Sequence, residues 1–224
     1  MADVHDHISA LSTIRDLDAD LIAFCGDLHN DSQAEQARPV AEALAALGPV
    51  VLIVPGNMDP RHLAPGIWER AGLKNIHQTS YRQGGWGFIG LGGMVLRNPR
   101  RLGDPTRYYH LEEEVYNSLV RSCREIADCP GKVVVTHQPP WGACDLLYNG
   151  QRSGSTSLRR FIEEHQPDLV LCGHIHEDRG EALVGTTRVV NVGEMRKGYA
   201  ALVELGDEIK VSWVEPGGHC LEIL

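Results

Sequence analysis

The sequence predicts a mixed α/β (α+β) fold, with alternating strands and helices first and a β-rich tail last. Three observations carry this. Five apolar runs, at 21–25, 50–54, 86–91, 132–136 and 168–172, are mostly β-branched and uninterrupted, as strands covered on both faces are. Helical patterns lie between them. The last third holds close-spaced candidate strands at 187–192, 199–205 and 208–214, separated by Gly and charged residues, a pattern that suggests antiparallel hairpins.

The helices follow from spacing and punctuation. Residues 33–47 are rich in Ala and Glu and stop at Gly48-Pro49. Residues 110–128 carry apolar side chains at 111, 115, 119 and 126. Residues 155–165 follow Gly154, with Ser155 and Thr156 as available caps. There is no internal repeat, low-complexity stretch or linker, so residues 1–224 read as one domain.

Hydrophobic residues make up 42% and charged residues 23%, which excludes a disordered or fibrous chain. The net charge of −9 argues against a surface that grips long nucleic acid through its phosphates, and so against a DNA exonuclease. It leaves room for a small phosphate ester, because bound divalent ions reverse the local field. The six cysteines form no C-x-x-C pair and read as reduced thiols of a cytoplasmic protein. The sequence shows neither a basic-then-apolar leader nor an apolar run of about 18 residues, so no membrane partner is expected. The oligomeric state is not legible.

Five polar blocks sit at the N-terminus or just after predicted strands: Asp3-Val4-His5, Gly26-Asp27, Gly56-Asn57-Met58-Asp59, His137 and Gly173-His174-Ile175-His176. Loops beyond the C-terminal ends of parallel strands form the binding crevice of open α/β sheets. If the strands are parallel, Asp27, Asn57, His137 and His174 emerge along one sheet edge, and the glycines allow tight turns there. In D-x-H and H-x-H, an extended backbone sends both ligands to one side. Mixed Asp, Asn and His ligands suit divalent Mn, Fe, Zn or Ni. Seven ligands are too many for one tetrahedral zinc.

In order, D-V-H, G-D, G-N-M-D, T-H and G-H-I-H resemble the calcineurin-like metallophosphoesterase superfamily, whose pattern is D-x-H, G-D, G-N-H-[DE], H and G-H-x-H. The resemblance implies a four-layer αββα sandwich, two mixed sheets flanked by helices. It implies two divalent metal ions, the first on Asp3, His5, Asp27 and His176, the second on Asp27, Asn57, His137 and His174, with Asp27 bridging. Asp27, Asn57 and His174 would be catalytic, a metal-bound hydroxide would attack in line, and the substrate would be a small phosphomonoester or phosphodiester.

Two positions depart from that pattern. Met58 stands where the family commonly has a His that assists the leaving group. His29 and His62 are the candidate replacement acids, and substrates with good leaving groups are expected otherwise. The family's first strand precedes D-x-H, whereas only Met1 and Ala2 do here. The expectation is that neighbouring strand edges are exposed, that Asp3 and His5 are poorly held, and that an upstream extension tightens metal binding.

The loop at 138–154 follows a predicted ligand and is read as one wall of the substrate pocket. Trp141 or Tyr148 would stack on an aryl or base group, with Arg152 nearby. Gly90, Gly92 and Gly93 form either a close backbone approach near the site or a plain turn. Glu112 to Glu114 read as a solvated helix start, and Arg100 and Arg101 as solvated surface. The histidines at 7, 29, 62, 77, 110, 165 and 219 read as ordinary surface or partly buried residues, with 29 and 62 also the acid candidates. The competing function is a weakly active scaffold of the same fold that binds a protein partner. Met58 and the short N-terminus favour it, and the intact set of second-metal ligands opposes it.

Overall fold

The computed structural model describes residues 1–15, 18–31, 33–96, 99–102, 104 and 106–222. The side chains of His219 and Cys220 lie outside the described ones. In chain order the elements begin β1 (Leu21–Phe24), α1 (Ala34–Ala45), β2 (Val50–Ile53), α2 (Ala64–Ala71), β3 (Lys74–Asn75), β4 (Ser80–Gln83) and β5 (Trp86–Leu91). There follow β6 (Met94–Val95), β7 (Tyr109–His110), α3 (Glu112–Glu125), β8 (Gly131–Thr136), α4 (Thr156–His165) and β9 (Leu169–Cys172). The tail holds β10 (Gly180–Val184), β11 (Thr187–Asn191), β12 (Ala200–Leu205), β13 (Ile209–Glu215) and β14 (His219–Glu222).

Alternation along the strands sorts the core into three layers of contact. On one face Val51, Ile53 and Val214 pack with Val40, Leu44, Ile67 and Trp68 of α1 and α2. On the opposite side of the molecule Val134, Val170 and Val189 pack with Val115, Leu119, Leu158 and Phe161 of α3 and α4. Between the sheets lie Leu52, Val133, Val135, Leu169, Leu171, Val190 and Trp213. The chain is therefore an αββα sandwich. One inner layer is the mixed sheet β10-β11-β9-β8-β5-β4; the other is built from β1-β2-β3 and β12-β13-β14.

The tail departs from the hairpin expectation. β12 and β13 do form an antiparallel pair. β11, however, lies parallel to β9 and antiparallel to β10, a strand the pattern at 180–184 does not announce. α2 is also unannounced, because Pro65 and Gly66 read as a loop. Proline is tolerated in the first helical turn, where its missing N–H has no partner to lose. Glu112 is not simply solvated. Its carboxylate accepts from Ser155 Oγ, the N–H and Oγ1 of Thr156 and the N–H of Ser157, and so caps α4 from α3.

Residues 1–5 run beside the C-terminal end of β1. The Met1 amine donates to Ala23 O at 3.0 Å, Cys25 N–H to Met1 O at 2.8 Å, Asp3 N–H to Gly26 O at 2.9 Å and His5 N–H to Asp27 O at 3.1 Å. From the other flank Met195 N–H bonds Ala2 O and Arg196 N–H bonds Asp3 O. Met1 to Val4 are buried. Asp3 and His5 are thus firmly held, contrary to expectation.

β1 and β12 each have a neighbouring strand on one side, and among the described residues none lies between them. A cleft of about 830 Å³ separates them, lined by apolar side chains that include Leu21, Ala23, Phe88, Leu171, Ala201 and Val203. The Met1 amine is buried, which lowers its pKa, although Cys25 and Asp3 pull the other way.

Candidate metal centre

The strands that precede the polar blocks are parallel within each sheet, β1 with β2 and β8 with β9. Asp27 and Asn57 therefore leave one sheet, and His137 and His174 leave the other. The site spans the C-terminal ends of two facing sheets, rather than one edge. Glycine lets the loops meet. A Cβ on Gly56 would lie 1.9 Å from Asp27 Oδ1, one on Gly26 would lie 2.7 Å from His137 Nδ1, and one on Gly173 would lie 2.6 Å from Asp3 Oδ2. Gly92 and Gly93 belong to the same packing. Gly93 N–H bonds Pro55 O at 2.7 Å, and a Cβ on Gly92 would lie 2.1 Å from that oxygen, so close approach is the correct reading there.

All seven predicted ligands converge. One ligand atom from each of Asp3, His5 and His176 lies within 4.8 Å of the other two, and the same holds for Asp3, Asp27 and His137. Asn57 Oδ1 is 3.0 Å from His137 Nε2, and the His137 and His174 ring centroids are 4.8 Å apart. Asp3 is common to both trios, the place the resemblance gives to Asp27. D-x-H and H-x-H are not extended. Asp3, His5, Asp27 and His174 all have φ between 49° and 68°, left-handed backbone that is uncommon outside glycine and concentrates at functional sites.

Proton placement fits a cation. His137 Nδ1 lies 2.8 Å from Cys25 O, a carbonyl that can only accept, so Nδ1 carries a proton. Nε2 then faces Asn57 Oδ1 and, at 3.5 Å, Asp27 Oδ2, and needs either a second proton or a cation between them. Burial opposes charging His137, but Asp27 foremost and then Asp3 outweigh it and push its pKa up to about 9. Burial, reinforced by the charge of His137, lowers His174 to about 4 and keeps it neutral. Asp27 is held low by His137 and by the Met58 N–H despite its burial. Buried Asp3 Oδ1 has no hydrogen bond among the described residues and faces His176 Nε2 at 3.1 Å and His5 Nε2 at 3.7 Å, as an oxygen shared with two imidazoles around an ion would.

The architecture matches known proteins over most of its length. The sequence profile of the calcineurin-like phosphoesterases matches residues 1–178. The chain belongs to that family. It is 32% identical over 181 residues to an uncharacterized protein of Methanocaldococcus jannaschii, covering 77% of each. The fold is similar to that of TT1561 from Thermus thermophilus (TM-score 0.73, 20% identity, 96% of this chain and 97% of that one). It is also similar to that of a dimetal phosphatase from Danio rerio (TM-score 0.56, 12% identity, 93% and 84%).

The acid candidates fare differently. His29 is fully buried behind the centre, its Nδ1 3.1 Å from Asp6 and its Nε2 accepting from Trp68 Nε1 at 3.0 Å. It cannot reach a leaving group. His62 is exposed on the turn into α2 and makes no hydrogen bond or ion pair among the described residues. Arg107 stands beside Met58 instead, 3.3 Å from its carbonyl and paired with Asp31. The 138–154 loop lies against the turn that follows His176, with Leu146 N–H on Asp178 and Tyr148 N–H on Glu177. Trp141 is 42% and Tyr148 90% exposed. Arg152 is engaged with buried Asp145 and braces the loop.

Two residues packed against the centre carry little sequence signal. Asp59 lies inside G-N-M-D, yet the pattern assigns it no ligand role. Its buried carboxylate accepts the N–H groups of Asp27 (3.0 Å), His29 (2.8 Å) and Gly56 (2.7 Å), tying the two strand-end loops together. Glu194, just after Gly193, lies 3.4 Å from His176 Nδ1. Gly56→Ala is expected to force the loops apart, lowering stability by about 1–3 kcal/mol and abolishing ion binding by calorimetry. Wild-type Tm and ion affinity in this variant would contradict the close-approach account.

Proposed function

We propose that this phosphoesterase-family protein hydrolyses a small phosphomonoester or phosphodiester with two divalent ions, drawn from Mn, Fe, Zn or Ni. The observation that carries the reading is the convergence of seven ligand-type side chains, five of them around the two buried carboxylates of Asp3 and Asp27. When bound, two such ions clamp the attacking and leaving oxygens of an in-line displacement and make water a nucleophile near neutral pH.

The chain's own residues do the rest. Asp3, His5 and His176 would hold one ion, and Asn57, His137 and His174 the other, with Asp27 available to both. With Oδ1 turned to the centre, Asn57 keeps its amide N–H groups for a phosphoryl oxygen. Neutral His174 adds no charge that would compete with the ions. Arg196 and Lys197 place two partly exposed cations on the rim against the single carboxylate of Glu194, a balance that favours an anionic ester. Tyr148 and Trp141 offer aromatic surface on the neighbouring wall for an aryl or base group.

Met58 supplies no proton, so good leaving groups are favoured. It is also the observation that favours the alternative, a weakly active scaffold that binds a protein partner. The described cysteines are free thiols, which supports a cytoplasmic setting.

The deciding assay incubates Mn²⁺- or Zn²⁺-loaded protein with aryl diesters, aryl monoesters and cyclic nucleotides. Metal-dependent turnover that Asp27→Asn reduces by at least ~10²-fold is expected. No metal-dependent turnover on any of the three classes would favour the scaffold.

A further inference from the structure

His176 presents two ring nitrogens to two different carboxylates. Nε2 faces the ligand cluster, 3.1 Å from Asp3 Oδ1. Nδ1 faces Glu194 Oε2 at 3.4 Å, within ion-pair reach. The Glu194 side chain is 2% exposed, and its other partners are Arg196 and, at 2.8 Å, Lys197. Those two cations are 41% and 60% exposed, so they could pair with a carboxylate at the surface equally well. Their pairing does not account for its burial against His176.

The loop that carries Glu194 also grips Asp3. Met195 N–H donates to Ala2 O at 2.8 Å and Arg196 N–H to Asp3 O at 3.0 Å, while Gly193 N–H is anchored on Asn191 Oδ1 at 3.1 Å. Residues 193–196 therefore fix the backbone of one ligand and face the side chain of another. Gly193 has φ +77°, and a Cβ there would lie 2.5 Å from Arg179 Cδ, so the turn that delivers Glu194 depends on glycine.

We propose that Glu194 is a positioning residue of the metal centre, accepting the Nδ1 proton of His176 and so aiming Nε2 at the ion bound by Asp3 and His5. The inference rests on the two-ion reading above. A metal-bound imidazole whose second nitrogen donates to a carboxylate has its tautomer and ring angle fixed and its basicity raised. Lys197 and Arg196 balance the carboxylate so that its negative charge does not accumulate beside those of Asp3 and Asp27.

The test uses Zn²⁺ alone and three forms of the whole chain: wild type, Glu194→Gln, and Arg196→Gln with Lys197→Gln. Long-range ¹H–¹⁵N spectra of the Zn²⁺-loaded wild type are expected to show the His176 proton on Nδ1. Calorimetry is expected to show Glu194→Gln weakening one of two Zn²⁺ sites by about 10–100-fold. The double variant removes the same ion pairs but leaves the acceptor, so it should lose less. Three results would overturn the inference: a proton on Nε2, wild-type affinity in Glu194→Gln, or equal losses in both variants. A wild type that binds no Zn²⁺ would instead overturn the two-ion reading itself, and this inference with it.

Discussion

The centre depends on one buried carboxylate whose hydrogen bonds, among the described residues, all come from backbone N–H groups. Asp59 accepts three backbone N–H groups, from Asp27, His29 and Gly56, and so cinches the loop after β1 to the loop after β2. Burial raises the pKa of this carboxyl, while His29 and the N–H groups of Gly56 and His29 pull it down. With the loops joined, Gly56 sits against Asp27 at a separation no side chain would permit. Asp27 can then take the Met58 N–H on Oδ1 and turn Oδ2 toward His137 on the opposite sheet. His29 supports the same cinch from behind, wedged between Asp6 and Trp68.

This tie holds a strained arrangement in place. Four of the seven candidate ligands have left-handed backbone, a conformation that costs a non-glycine residue on the order of 1–3 kcal/mol each. Hydrogen bonds around Asp3 offset part of it, with Gly26 on one flank and Arg196 on the other. The three layers of apolar contact below supply a rigid base. A base of this kind reduces what ion binding must order.

Much of this is legible in the residues. Val-rich runs that end in Gly and a ligand-type side chain reveal both strand and site, because parallel strands deliver their C-terminal loops to a common crevice. Spacing misleads where backbone conformation, rather than residue type, decides direction: D-x-H looks extended, but the chain turns left-handed at both Asp3 and His5. His29 looks like an available acid because burial cannot be read from two residues of separation. α2 is hidden by Pro65 and Gly66, and β10 by its half-polar Gly-Glu-Ala start. Glu194 lies 18 residues past His176 in an ordinary-looking turn, and only the pairing of β9 with β11 brings the two together.

The two-ion reading is tested most directly by anomalous diffraction from crystals of the protein grown with Mn²⁺. Two anomalous peaks about 3.5–4 Å apart are expected, one against Asp3, His5 and His176 and the other against Asn57, His137 and His174, with Asp27 reaching both. A single peak, or peaks away from these side chains, would contradict it.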